Sequence, residues 1–295
     1  MDETLREYAE YLEKEKKMAE NTRLAYQSDV TELQTFLAQR GNDQPLTAGN
    51  ADVVAWMLKL KNDGKSGATL NRKLAAVRGY FGYFVRKGTI RENPTDHIKS
   101  PKVKRKQIEY LTVEEMETLL AQPDDSLKGR RDQALLELLY AAGLRVTEAA
   151  GANVSDLNLR IGFITCTGEH GKARIVPLGR PSREAIETYL YDVRPQLLRE
   201  KEDDGALFLN ANGARLTRQG VWKILKEYAQ KAGLEHRLSP QTLRNSFAVH
   251  MVQNGADLKS IQELMGHEDL TATQIYLSVT KNRIKEVYDR THPRA

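Results

Sequence analysis

The sequence predicts a mainly α-helical protein with a small β-sheet, and three observations carry that reading. Apolar residues recur at intervals of three and four over residues 1–98 and again from residue 110 onward, the period of helices that pack on one face. One pair of short runs, "GFITCT" and "ARIVPL", alternates instead with a period of two around the turn-forming "GEHGK", which signals a β-hairpin. Between the two helical regions lies "IKSPKVKRKQIE", with five basic residues (Lys99, Lys102, Lys104, Arg105 and Lys106) around a proline and almost no apolar content. Such a stretch has nothing to bury and reads as an exposed linker. The chain of 295 residues therefore divides into 1–98, a basic linker 99–109, and 110–295.

The elements follow in order. Leu5, Tyr8 and Leu12 mark a first helix, and a second starts near Asn21–Thr22 and carries Leu24, Tyr26, Val30, Leu33, Phe36 and Leu37. "RGNDQP" breaks the chain, and a third helix fits Asn50 to Leu60. The clearest pattern is "SGATLNRKLAAVRGYFGYFVRKG", where Leu70, Leu74, Val77, Phe81 and Phe84 share one face while Arg72, Lys73, Arg86 and Lys87 are available to another. Past the linker, Thr112 stands three residues before Glu115 as in a capping box, and "RRDQALLELLYAAGL" is a buried helix ended by Gly143. After the hairpin the pattern is mostly helical again. It includes "TRQGVWKILKEYAQKAG", capped by Thr217, in which Trp222 is expected to pack in the core beside Val221, Ile224 and Leu225.

Composition excludes some classes of function and leaves others open. Hydrophobic residues make up 40% and charged residues 29%, the balance of a folded chain with a core. No apolar run approaches the ~18–20 residues of a membrane span, and the acidic start lacks the pattern of a signal peptide, so a cytoplasmic location and no membrane partner are expected. Cys166 is the single cysteine, so no internal disulfide can form, and no Cys/His cluster has zinc spacing, so neither metal nor cofactor is expected. Forty-five Lys and Arg against 40 Asp and Glu give a formal charge of +5, which suits a polyanion without requiring one.

Three stretches hold polar residues where packing alone would not ask for them. "AAGLRVTEAA" places Arg145 just past the glycine that ends a helix, "TLRNSF" places Arg244 in the first turn of another, and "ELMGHEDLTATQIY" holds His267 and, nine residues on, Tyr276. Each has a plain structural alternative: Arg145 can pair with Glu148, His267 can cap a helix, and Tyr276 can pack half-buried. Together they form a coherent chemical set. Guanidinium groups grip the non-bridging oxygens of a phosphodiester bidentately, an imidazole donates a hydrogen bond or moves a proton, and a phenol is a nucleophile that can hold a phosphoryl group covalently. None of these steps needs a metal.

These residues carry a resemblance. "GLRVTE", the hairpin ending "RIVPLG" and "TLRNSFAVHMVQNGADLKSIQELMGHEDLTATQIY" resemble a Xer-like tyrosine recombinase of the phage integrase family. The resemblance implies a helical N-terminal core-binding domain, SAM-like, joined to an α+β catalytic domain, the two forming a C-shaped clamp on double-stranded DNA. It places the family's active-site arginines on Arg145 and Arg244, its late histidine on His267 and its nucleophile on Tyr276. It implies DNA cleavage through a 3′-phosphotyrosine, with exchange by four protomers, identical or shared with a related recombinase, and so a nucleoid-associated enzyme of DNA recombination and integration.

Three positions depart from the family pattern. Gln241 stands where the family's first histidine is usual, with Asn245 after Arg244, and alignment back from "RIVPLG" puts Glu169 where the family carries the lysine that acts as general acid. Lys172 lies three residues on and can supply that proton only if the turn brings it inward. Two readings follow from sequence: a site-specific recombinase slowed by an altered proton-transfer set, or a catalytically impaired homologue that binds DNA as an architectural or regulatory protein. The basic residues Arg72, Lys73, Lys104, Arg105, Lys106, Arg218 and Lys223 are the expected contacts to the duplex. The C-terminal pattern of Ile284, Val287 and Tyr288 suggests, by the same resemblance, a helix that docks on a neighbouring protomer.

Overall fold

A computed structural model describes residues 2–101, 108–168, 171–267 and 271–276. Backbone contacts divide the chain into two units, Met1–Lys106 and Gln107–Ala295. The first is built from four helices, α1 (Glu3–Lys14), α2 (Glu20–Ala38), α3 (Asn50–Asn62) and α4 (Gly67–Arg86). Each exists because its apolar residues fall on one stripe: Leu5, Tyr8 and Leu12 on α1, Val30, Leu33 and Leu37 on α2, Val53, Trp56 and Leu60 on α3. The fourth helix lies against α2 and buries Leu70, Leu74, Val77, Phe81 and Phe84 at the spacing read from the sequence. Ser66 caps its start by accepting from the Thr69 amide at 3.2 Å.

Charge also enters this core. Asp29 is 1% and Lys73 5% exposed, and the ammonium of Lys73 donates to Asp29 at 2.8 Å and to Glu32 at 2.6 Å. The expectation that Lys73 faces a duplex is therefore corrected: its charge is committed inside the unit, because a buried Asp29 without a cation would bear the full cost of desolvation. Arg72 also pairs with Asp29, with 43% of its side chain exposed.

The second unit opens with α5 (Val113–Leu120), whose capping box is formed as the sequence predicts: Thr112 Oγ1 accepts from the Glu115 amide and Glu115 accepts from the Thr112 amide. Then come α6 (Leu127–Ala141) and α7 (Val146–Gly151). The hairpin strands β2 (Phe163–Thr167) and β3 (Ala173–Pro177) pair antiparallel, and a two-residue strand not foreseen from sequence, β1 (Leu157–Asn158), extends the sheet in the order β1-β2-β3. Ile164, Cys166 and Val176 face the core, while Ile175 on the other face is 65% exposed. Cross-strand partners share a face, so the pairing of Cys166 with Arg174 turns that arginine inward.

Helices α8 (Arg180–Thr188) and α9 (Arg194–Leu198) are joined through a π-helical turn and followed by α10 (Arg218–Lys231), capped by Thr217. On α10 the buried residues are Val221, Ile224, Leu225, Tyr228 and Ala229. Trp222 is 43% exposed, which corrects its expected place in the core: one residue on from Val221, it lies at the edge of that stripe. The last elements are α11 (Pro240–Gln253), α12 (Leu258–Met265) and the short α13 (Thr271–Gln274). Helix α11 is buried continuously from Thr242 to His250. His250 is a packing residue: Nε2 meets the Leu111 carbonyl at 2.9 Å and so carries the proton, which leaves Nδ1 to accept from Tyr140 at 2.8 Å.

Candidate phosphodiester site

Gly143 sets the position of the first arginine. It ends α6 with φ +54°, and a Cβ there would meet the Phe247 ring at 2.5 Å, so only glycine allows the chain to turn while α11 stays close. Two residues later Arg145 stands at the N-cap of α7. Its amide donates to Glu148 Oε2 at 2.7 Å and its guanidinium to Glu148 Oε1 at 3.0 Å, which leaves 38% of the side chain exposed. The structural alternative for Arg145 thus holds, and it is compatible with a second partner: one ion pair leaves most of a five-donor fork unused.

Glu148 is also held from the opposite side. Arg174 on β3 donates to both of its oxygens, at 2.7 and 2.9 Å, and through Nε to the Leu264 carbonyl on α12 at 2.7 Å. Burial would raise the Glu148 carboxyl, but the Arg174 and Arg145 bonds outweigh it and hold the group below the usual carboxylate range. Arg174 is the residue that reading the sequence missed. The signal was present in "RIVPLG", where an arginine occupies a strand position that faces the core.

Arg244 is the fifth residue of α11, at 3% exposure, and donates to the carbonyls of Gly143 and Met265, the ends of α6 and α12. Its hydrogen-bond partners among the described residues are neutral, and the carboxylate that acts on it, Glu148, is shared with Arg145 and Arg174. Burial and the nearby charge of Arg145 pull its pKa down to about 10, which still leaves it cationic at neutral pH. The left-handed Gly266 ends α12 with φ +62°, and a Cβ there would stand 3.0 Å from Arg174 Nη1. Next to it, His267 Nδ1 lies 2.9 Å from the Thr273 hydroxyl. Burial, Arg244 and Arg145 together depress His267 to about 4, so the ring is neutral under ordinary conditions.

Tyr276 completes the cluster. It is 1% exposed, packs with Phe247, Ala248, Val249, Ile261 and Met265, and donates from Oη to Asn245 Oδ1 at 3.1 Å. Burial raises its phenol above the usual range while the charge of Arg244 acts the other way. Arg145, Arg244, His267 and Tyr276, which sequence placed together on chemical grounds, are electrostatic neighbours in the fold.

The remaining candidates separate. Gln241 donates to Asn245 Oδ1 at 2.9 Å. Lys172 is exposed, and its carbonyl accepts from the Gly168 amide at 3.0 Å to close the hairpin turn. Arg218 and Lys223 are exposed on α10 beside Trp222. Glu169, Lys104, Arg105, Lys106 and the C-terminal segment with Ile284, Val287 and Tyr288 lie outside the described residues.

Comparison with known proteins meets this geometry. Residues 109–283 match the phage integrase family, and residues 5–88 match the phage integrase N-terminal SAM-like domain. Tyrosine recombinase XerD of Listeria monocytogenes serotype 4b is 41% identical over 297 residues, and that of Oceanobacillus iheyensis 38% over 298, each match covering 100% of both chains. Among solved structures, XerH site-specific recombinase bound to palindromic difH substrate superimposes with a TM-score of 0.75 at 23% identity, over 90% of this chain and 78% of that one. The Tn1549 transposon integrase in complex with transposon right end DNA gives 0.76 at 21%, over 98% and 99%. At such identities the superpositions establish a shared, mainly helical fold with its small sheet. With the full-length relatives and the matched domains, the chain belongs to the phage integrase family, the tyrosine recombinases.

Proposed function

We propose that this protein is a site-specific DNA recombinase that cleaves and rejoins strands through a phosphotyrosine formed on Tyr276. The observation that carries the proposal is the buried charge of Arg244. Among the described residues, Arg145, Arg174 and Arg244 bring three positive charges to a cluster in which Glu148 supplies one negative charge, and the hydrogen bonds of Arg244 go to carbonyls. An anion is the missing complement, and a phosphodiester supplies one charge with oxygens spaced for guanidinium donors. In the reaction the Tyr276 phenol gives its proton to water as its oxygen bonds to phosphorus, the bond to the 5′-oxygen breaks, and that oxygen takes a proton from water to leave as a hydroxyl. Arg145 and Arg244 stabilise the charge that grows on the equatorial oxygens. His267, neutral, donates a hydrogen bond to one of them. Rejoining is the reverse attack by a 5′-hydroxyl, and recombination follows when that hydroxyl comes from another duplex. The resemblance to this family implies four protomers acting together, of one kind or two.

The proton given to the leaving oxygen is the weak point of this assembly. Glu169 stands at the family's lysine position and Gln241 at its first histidine, and an amide cannot shuttle protons near neutral pH. A second reading, a DNA-binding homologue with little or no cleavage, is favoured by those two residues.

A nicked suicide duplex bearing candidate recombination sites separates the two. The first reading expects a covalent protein–DNA adduct that Tyr276→Phe abolishes. Paired Glu169→Lys and Gln241→His changes are expected to raise its rate by about 10²–10⁴, the span of one general acid. Sequence-specific binding with no adduct from either protein would establish the second.

A further inference from the structure

We propose that Asn245 is a positioning residue that latches Tyr276 in a resting state and ties its release to the backbone at Glu109, where the basic stretch 99–109 ends. The inference rests on the reading of Tyr276 as nucleophile, and it concerns a position at which this chain departs from the family pattern. Asn245 is 7% exposed and uses both ends of its amide. Its Nδ2 donates to the Glu109 carbonyl at 2.9 Å, and its Oδ1 lies 2.9 Å from Gln241 Nε2 and 3.1 Å from Tyr276 Oη.

These contacts determine the direction of each proton. A carbonyl only accepts, so the Glu109 contact fixes which end of the Asn245 amide is nitrogen. The other end is then oxygen, which cannot donate, and the Tyr276 hydroxyl must point its own proton at Asn245. A phenol held this way is a spent donor rather than a nucleophile. Its in-line attack needs that contact broken and the proton passed to a base, which an amide oxygen is not. Gln241 braces the same oxygen from one turn earlier on α11, so the resting geometry is held by two side chains absent from the usual pattern.

The Glu109 contact gives the latch an input. Basic residues immediately before it in sequence are suited to phosphates, and a shift of the backbone at Glu109 removes the bond that orients Asn245. The amide is then free to rotate, and Tyr276 loses its acceptor.

Two arms test the latch on the full-length protein. Without DNA, hydrogen–deuterium exchange is read over residues 108–111 and 271–276. Tyr276→Phe, which removes only the hydroxyl, is expected to speed exchange of 271–276 about two- to tenfold, the range of one ordinary hydrogen bond. Asn245→Ala should speed both segments, whereas Asn245→Asp, which keeps an acceptor but not the donor, should release 108–111 and leave 271–276 protected. Unchanged exchange of 271–276 in both Tyr276→Phe and Asn245→Ala overturns the proposal, and Tyr276→Phe keeps this arm decisive if Asn245→Ala does not fold. With a nicked suicide duplex, Asn245→Ala should form adduct about two- to tenfold faster than the parent per molecule bound. A residue needed only for packing would slow it, so a slower or equal rate also counts against the latch. If no protein forms adduct, the recombinase reading fails while the exchange arm still decides the latch.

Discussion

Arg145 and Arg244 carry the same group in opposite surroundings, and the difference predicts what each tolerates. Arg145 is half open to solvent and shares Glu148, so Arg145→Lys should fold normally. Arg244 is walled in by carbonyls, and Arg244→Ala leaves two buried acceptors without donors, at about 1–3 kcal/mol each. Arg244→Lys keeps the charge but not the fork, and a loss of about 10²-fold or more in adduct rate is expected, on the scale of one transition-state donor. His267 gives a pH signature. Its folded pKa near 4 lies below its ordinary 6.5, so the unfolded chain binds the proton more readily between those values. Stability from this residue is present above pH 6.5 and is lost as pH falls toward 4. Urea denaturation at pH 7 and pH 5 should show a larger drop in the parent than in His267→Gln, by about 1–2 kcal/mol. Because Arg244 and Arg145 help depress the ring, a bound phosphodiester that offsets them should move its titration upward, which histidine NMR with and without DNA would detect.

At the scale of elements, Arg174 is the joint. One side chain ties β3 to α7 through Glu148 and to α12 through Leu264, and these three elements carry the hairpin, Arg145 and His267. Arg174→Ala leaves the Glu148 carboxylate, 6% exposed, with Arg145 as its remaining cation among the described residues, and breaking a buried pair in this way costs about 3–5 kcal/mol. Denaturant titration reads that cost directly. The same residue marks the limit of what sequence discloses. Helices were legible because periodicity is local, and α4 buries the residues its spacing singled out. Arg145, Arg244, His267 and Tyr276 were legible as a set because their chemistry is complementary and their flanking residues resemble a family. Arg174 was not, because its partners lie 26 and 90 residues away: the strand alternation turns it toward the core, but nothing local says what it meets there. Lys73 was misread for the same reason, since Asp29 is 44 residues distant. Trp222 was misread differently: its hydrophobicity suggested the core, although the period of Val221, Ile224, Leu225 and Tyr228 already placed it at the edge of that stripe.

For the whole molecule the question is which positive charges meet a duplex, since a net charge of +5 says only that some can. Lys73 and the pair Arg218 and Lys223 are all basic residues on helices, yet the fold treats them oppositely. Lys73 is 5% exposed between two carboxylates, whereas Arg218 and Lys223 are exposed on the face of α10 that Trp222 shares. Each phosphate neutralised releases counterions and adds about 0.9 to the slope of log K against log salt. Replacing both Arg218 and Lys223 by alanine should therefore flatten that slope by about 2 if both touch phosphate, with stability unchanged to within about 0.5 kcal/mol, as for surface positions generally. Lys73→Ala should do the reverse. It leaves Asp29 buried with Arg72 as its remaining partner, for a loss of about 3 kcal/mol, while the salt slope of the folded fraction stays at the parent value. Binding isotherms across a salt series, set beside denaturation curves of the same proteins, measure both quantities. A slope that changes with Lys73 and not with the α10 pair would show that the duplex is met by a different face from the one inferred here.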